Sequence, residues 1–274
     1  MTENYRGRIA PSPTGYLHVG HAATFWRAQE RARAAGGELI LRIEDIDAAR
    51  CQPEFREALI EDLRWFGFRW KESPYLQSER RSFYLEAWEQ LRDSGAIYPC
   101  TCSRKDVLSA GLAPHDENEE PIYPGTCRNR QLDFDSPAGV HWRFRIRDDE
   151  QLSFVDARLG LQTAIAGRDF GDFIVWRRDD VPAYQLAVVV DDAAMQISEV
   201  VRGEDLLTST FRQLLLYRSL NLQPPKFFHG PLIRDESGRR LAKRHASLSL
   251  RALRQSGATP EEIRDRFTTT APAS

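Results

Sequence analysis

A dominant charge of either sign is missing from this 274-residue sequence: 38 Lys and Arg against 40 Asp and Glu leave a formal net charge of −2. Nothing in that balance draws the whole chain toward nucleic acid. Any contact with RNA has to come from a local patch such as Arg239-Arg240-Leu241-Ala242-Lys243-Arg244-His245. Long apolar runs are missing as well. Stretches such as Leu186-Ala187-Val188-Val189-Val190 are far too short to span a bilayer and are expected to form a buried strand. The opening Met1-Thr2-Glu3-Asn4-Tyr5-Arg6-Gly7-Arg8 has no apolar stretch behind a basic end, which argues against a secretory signal; a cytoplasmic protein with no membrane partner is expected. Cysteine is scarce, with four in all. Three of them fall in one short segment, which does not suit a disulfide framework and leaves metal binding or simple burial. Internal repeats and low-complexity segments are also absent.

With 28% charged and 41% hydrophobic residues, the composition is that of a globular protein, long enough for one large domain or a domain with an insertion. Arg8-Ile9-Ala10 reads as a strand. Pro11 to Gly20 cannot be regular, and His21 to Ala35 carries helix formers up to Gly36-Gly37. Glu38 to Ile43 then alternates as a second strand, followed by the acids Glu44-Asp45. This β-α-β unit implies a parallel, doubly wound sheet whose ligands bind beyond the carboxyl ends of the strands, where Pro11 to His21 and Glu44 fall. Residues 54–67 and 79–94 have helical spacing, the second ending at Ser94-Gly95, and a last helix is expected from Pro260 to Phe267. From Tyr98 to about Arg130 periodicity is lost, as in an insertion. Short β-type runs follow at Trp142 to Ile146 and Phe173 to Trp176, before the expected strand 184–190 restarts the core.

His18-Val19-Gly20-His21 brackets a glycine with two imidazoles where a loop enters a helix. A helix N-terminus offers oriented N–H groups to phosphate, Gly20 permits close approach, and the imidazoles can add donors to developing charge. In the insertion, Cys100-Thr101-Cys102 and Tyr123-Pro124-Gly125-Thr126-Cys127 supply three thiolates, most of a tetrahedral zinc site. From the residues alone, His115 or Asp116 is the natural fourth ligand.

The run Arg8-Ile9-Ala10-Pro11-Ser12-Pro13-Thr14-Gly15-Tyr16-Leu17-His18-Val19-Gly20-His21 resembles the opening of class I aminoacyl-tRNA synthetases of the glutamyl type. The likeness continues in order through Leu41-Arg42-Ile43-Glu44-Asp45-Ile46-Asp47, Val201-Arg202-Gly203-Glu204-Asp205-Leu206-Leu207 and the Ser209-Thr210 to Leu216-Tyr217 pattern, covering residues 8 to about 255. It implies a Rossmann-type α/β catalytic domain with a doubly wound parallel sheet and a zinc-containing insertion. It also implies ATP, with Mg²⁺, as substrate at His18, Gly20, His21 and Lys243. Here Arg240-Leu241-Ala242-Lys243-Arg244 is similar to the family's lysine loop, with Arg240 in place of the first lysine and Ala242 in place of a serine. His18, His21 and Lys243 would be the catalytic groups. The glutamate contacts implied are Arg8 and Arg202 on the carboxylates, Glu44 and Tyr184 at the ammonium end, and Ile9, Ala10, Pro11 and Ser12 lining the pocket. Outside that resemblance, Arg42 with Glu44 reads as a surface pair and Tyr184 as a core residue. For the metal, one structural Zn²⁺ per chain, the implied set is Cys100, Cys102, Tyr123 and Cys127.

The expected organisation is 1–97 as the first half of the catalytic domain and 98–172 as a zinc-bearing, acceptor-binding insertion. Residues 173–230 would be the second half, and 231–274 the lysine loop with a short helical end. The chain stops soon after Lys243, without an anticodon-binding region. In this it is similar to the glutamyl-Q tRNA(Asp) synthetase family, which attaches glutamate to the cyclopentenediol of queuosine at the wobble position of tRNA(Asp). The implied partners are ATP, L-glutamate and queuosine-bearing tRNA(Asp), for a monomeric enzyme. A truncated glutamyl-tRNA synthetase, a small-molecule amino-acid ligase and an inactive RNA-binding paralogue are the competing readings.

Overall fold

A computed structural model describes residues 5–110, 122–233 and 249–268. In chain order the elements are β1 (Arg6–Ile9), α1 (Val19–Ala34), β2 (Glu38–Ile43), α2 (Pro53–Phe66), β3 (Tyr75–Leu76), α3 (Arg81–Asp93), β4 (Ile97–Cys100) and α4 (Arg104–Ala110). They continue with β5 (His141–Phe144), β6 (Gln151–Asp156), β7 (Gly160–Ile165), β8 (Ile174–Trp176), α5 (Tyr184–Ala194), β9 (Glu199–Gly203), α6 (Leu207–Ser219), β10 (Lys226–Gly230), α7 (Leu250–Gln255) and α8 (Pro260–Thr268). Two compact units result, one from the described residues of 1–79, 196–206 and 225–274, the other from 80–195 and 207–224. Among the described residues no helix is long and apolar enough to cross a membrane.

The first unit is the parallel one. β1 and β2 pair in parallel with Arg8 opposite Ile40, and β2 pairs with β3. β9 lies beside β1, where the Ser198 N–H donates to the Arg6 carbonyl at 2.9 Å, and β10 pairs in parallel with β9, Arg202 opposite His229. The parallel set β1-β2-β3 thus grows to one side of β1 and the parallel pair β9-β10 to the other, so the ends of β1 and β9 correspond to the switch point where a doubly wound arrangement takes its ligands. The helices form where the sequence allows them. Pro53 opens α2 at a position that needs no N–H donor, and Gly67 closes it with φ 94°, a conformation suited to glycine. Ile9, Leu41 and Ile43 of the sheet share one core with Phe25 and Ala28 of α1, Leu59, Leu63 and Phe66 of α2, Leu250 of α7 and Ile263 and Phe267 of α8. Each large apolar side chain buried there contributes about 1.5–3 kcal/mol.

The second unit is antiparallel. β4, β5 and β8 form a sheet with Ile97 opposite Phe144 and Trp142 opposite Trp176, and β6 and β7 form a hairpin closed by Asp156 opposite Gly160. Trp88 of α3 packs edge-on to Trp142 with ring centroids 5.0 Å apart. One expectation fails here: residues 184–190 are not a strand. They open α5, in which Leu186 to Asp192 are all buried. A run buried on every side has no polar face to reveal its period, so the β-branched Val188, Val189 and Val190 pointed the wrong way. Tertiary contacts decide the matter. The helix carries Asp191 to Arg80 Nε at 2.6 Å and Tyr84 Oη at 2.9 Å, which satisfies a wholly buried carboxylate. The other expected helices form, and a further one, α7, adds one turn and a half begun by Ser249 as its N-cap.

Candidate active site and metal centre

The loop after β1 delivers His18 to the N-cap of α1. Its Nδ1 accepts the Gly20 N–H at 3.1 Å, while Nδ1 of His21 accepts the His18 N–H at 3.3 Å. With Nδ1 accepting in both, each ring carries its proton on Nε2 and is a donor there. The two rings lie 3.8 Å apart with a 33° tilt. Gly20 favours this arrangement, because a Cβ at that position would stand 3.0 Å from both Cε1 and Nδ1 of His18 and the ring would have to shift by a few tenths of an ångström. The result is a compact array of donors at the positive end of a 16-residue helix, suited to polyphosphate. Ser249 pairs with His18 in an isolated antiparallel bridge, and the Leu250 N–H donates to the Leu17 carbonyl at 2.7 Å. Lys243 lies outside the described residues, as do Arg240 and Ala242.

Beside this corner, the switch point collects the expected amino-acid contacts. The Glu44 N–H donates to the Pro11 carbonyl at 2.9 Å, which ties the end of β2 to the segment Ala10, Pro11 and Ser12 that follows Ile9. Arg8 is buried and donates from Nη1 to the Val201 carbonyl at 3.2 Å, so the first strand's arginine reaches β9. Arg202 on β9 is buried too, its Nε donating to Nε2 of His229 at 3.1 Å. Arg42 and Glu44 do pair, at 3.0 Å, but not on the surface as the bare residue reading had it, because Arg42 is wholly buried. Tyr184 belongs to the second unit, at the first turn of α5. It is exposed and not a core residue.

The cysteine cluster closes within the second unit. Sγ atoms of Cys100, Cys102 and Cys127 lie within 4.8 Å of one another, and Cys102 and Cys127 are 3.6 Å apart. Tyr123 Oη stands 3.3 Å from Cys100 Sγ and 3.4 Å from Cys102 Sγ, and accepts the Cys127 N–H at 2.9 Å. A tetrahedral ion with thiolates at about 2.3 Å and an oxygen at about 2.0 Å has edges of about 3.5–3.8 Å between ligands. The separations of 3.3, 3.4 and 3.6 Å lie near those edges, and the three sulfurs, all within 4.8 Å of one another, could hold a metal. Burial alone would push the Cys127 thiol up, but bonds from the Thr101 N–H, Tyr123 and Cys102 bring it down to about 7, whereas burial pushes the Cys102 thiol and the Tyr123 phenol up. His115 and Asp116 lie outside the described residues.

The family model for "tRNA synthetases class I (E and Q), catalytic domain" matches residues 4–270. The chain belongs to this family. It is 46% identical over 270 residues to the glutamyl-Q tRNA(Asp) synthetase of Nitratidesulfovibrio vulgaris, covering 94% of this chain and 83% of that protein. The glutamyl-Q tRNA(Asp) synthetase of Symbiobacterium thermophilum is likewise 46% identical over 274 residues, with the same two coverages. Among solved structures, the glutamate-tRNA synthetase of Elizabethkingia anophelis superimposes with a TM-score of 0.76 at 28% identity over 88% of this chain, which spans 53% of that one. The α/β architecture with its parallel sheet is that of the class I synthetase catalytic domain, and ATP fits as its substrate.

Two contacts of this class I domain escaped the sequence reading. His229 and Arg143 each meet a predicted site residue from a distant strand, Arg143 donating from Nε to Cys100 Sγ at 3.3 Å. The available signal was a polar residue within an apolar strand, Phe227-Phe228-His229 and Trp142-Arg143-Phe144.

Proposed function

We propose that the chain activates glutamate with ATP and transfers it to the cyclopentenediol of queuosine at the wobble position of tRNA(Asp). The observation that carries this is the His18–Gly20–His21 corner at the switch point of a class I (E and Q) domain, in a chain 46% identical to two proteins named for that reaction. The glutamate α-carboxylate attacks the α-phosphate of ATP, forming glutamyl-adenylate and releasing pyrophosphate. His18 and His21 donate from Nε2 to the charge that develops there, and Lys243 offsets the departing pyrophosphate, with Mg²⁺ on the phosphates. Arg8 and Arg202 fork onto the two carboxylates of glutamate, Glu44 and Tyr184 take the ammonium end, and Ile9 to Ser12 line the pocket. A queuosine hydroxyl then attacks the activated carbonyl, the new ester forms, and AMP leaves; positioning accounts for this step without a dedicated protein base. Residues 98–172 serve as the acceptor-binding insertion, and Cys100, Cys102, Tyr123 and Cys127 hold one structural zinc, which cross-links a segment poor in core. The enzyme works in the cytoplasm as a monomer.

The test is transfer of labelled glutamate, with ATP, to tRNA(Asp) bearing or lacking queuosine. Label is expected only on the queuosine-bearing RNA. Equal label on both, or label only on tRNA(Glu), would overturn the assignment in favour of a glutamate–tRNA ligase.

A further inference from the structure

We propose that Arg143 is the counter-charge and positioning residue of the cysteine–tyrosine metal centre. This rests on the zinc reading given above and extends it to a residue outside the ligand set. Arg143 sits on β5 opposite Tyr98 of β4, and only 7% of it is exposed. Its guanidinium touches two of the four ligands. Nε donates to Cys100 Sγ at 3.3 Å, and Cζ stands 3.9 Å from the centroid of the Tyr123 ring, over its face. Nη1 donates to the Asp172 carbonyl at 3.0 Å, which holds the plane of the guanidinium in place.

What makes this more than a packing contact is the charge balance. Among the described residues, Arg143 has no carboxylate partner. The nearby Asp172 carboxylate is already taken by Tyr98 Oη, by Arg128 Nε and Nη2, and by the Ile146 N–H. Arg128 meets the buried Asp172 charge, and the second carboxylate it reaches, Asp148, is largely exposed to solvent. A buried guanidinium without an anion is costly, and it persists where an anion faces it. Three thiolates and a phenolate around Zn²⁺ carry a net charge of −2, and the anions facing Arg143 are those ligands. The guanidinium thereby lowers the cost of gathering four anionic donors in a buried cluster. Lying over the ring, it also holds the Tyr123 oxygen toward the sulfurs.

The experiment compares full-length wild type with R143M and R143K. Zinc content by elemental analysis, zinc affinity by competition with a chromogenic chelator, and the absorption spectrum of the cobalt(II)-substituted protein are measured, with circular dichroism as the control for folding. R143M is expected to lose about 10–100-fold in zinc affinity and to shift the thiolate-to-cobalt band. R143K, which keeps the charge without the planar contact, should fall between R143M and wild type. If R143M does not fold, R143K carries the test through its altered cobalt spectrum on a native fold. A native-like R143M with wild-type affinity and spectrum, or an R143K indistinguishable from wild type where R143M is insoluble, overturns the role of Arg143 alone. A wild type that takes up neither zinc nor cobalt overturns the metal centre and this role together.

Discussion

At the scale of single residues, the site depends on contacts that a methyl group can disturb. Gly20 occupies the first turn of α1, where alanine is the better helix former by about 1 kcal/mol. Yet a Cβ there meets the His18 ring at 3.0 Å. Gly20→Ala is therefore expected to keep or slightly raise the melting temperature while lowering glutamate-dependent ATP–pyrophosphate exchange about tenfold or more; a fall of both together would mean that the glycine serves folding alone. The pair His18 and His21 was legible in the sequence because the cap, the glycine and the second ring all lie within four positions. Arg143 and His229 were not. Their partners are 43 and 27 positions away, and no local pattern specifies which strands become neighbours.

At the scale of elements, α2 carries a cost that its pattern conceals. Asp62 is 1% exposed, neither of its carboxylate oxygens has a hydrogen-bond partner among the described residues, and burial raises it from the ordinary 3.8 to about 6, against the fields of Arg251 and Arg254 and with that of Glu61. The folded state thus holds a proton that the unfolded chain gives up. Stability is highest below about pH 4 as far as this group is concerned, and falls as pH rises to about 6, by about 2–3 kcal/mol in all. Asp62→Asn should flatten that slope in chemical denaturation followed between pH 4 and 7; an unchanged slope would assign the pH dependence to other groups. The same comparison of pattern with packing explains α5. The spacing of α2 and α3 was readable because each shows one polar face, and α1 was marked by its helix formers and the Gly36-Gly37 stop, whereas the buried run Leu186 to Val190 offered hydrophobicity without a period. The short α7 lacks the length to build a pattern and forms because Ser249 caps it and Leu250 enters the first unit's core.

At the scale of the whole molecule, each unit is assembled from separated stretches of chain, and the cysteine cluster proposed to hold zinc belongs to only one of them. Stripping zinc with a chelator should therefore raise amide hydrogen exchange around 97–107 and 122–130 and leave β1, β2 and α1 protected, as read by mass spectrometry; uniform loss of protection would show that the metal supports the first unit as well. What the sequence determined by itself was carried by contiguous residues: the His18–His21 corner that caps α1, the first β-α-β unit and the spacing of the cysteines, all fixed by caps, periods and offsets along the backbone. Only the tertiary structure decided that residues 184–194 are helical and Arg42 is buried. It alone brought Arg202 to His229 and set Arg143 against the Cys100 sulfur. These outcomes come from burial and from the pairing of buried charges, which depend on which distant segments share an interior, and that information is spread over the whole chain.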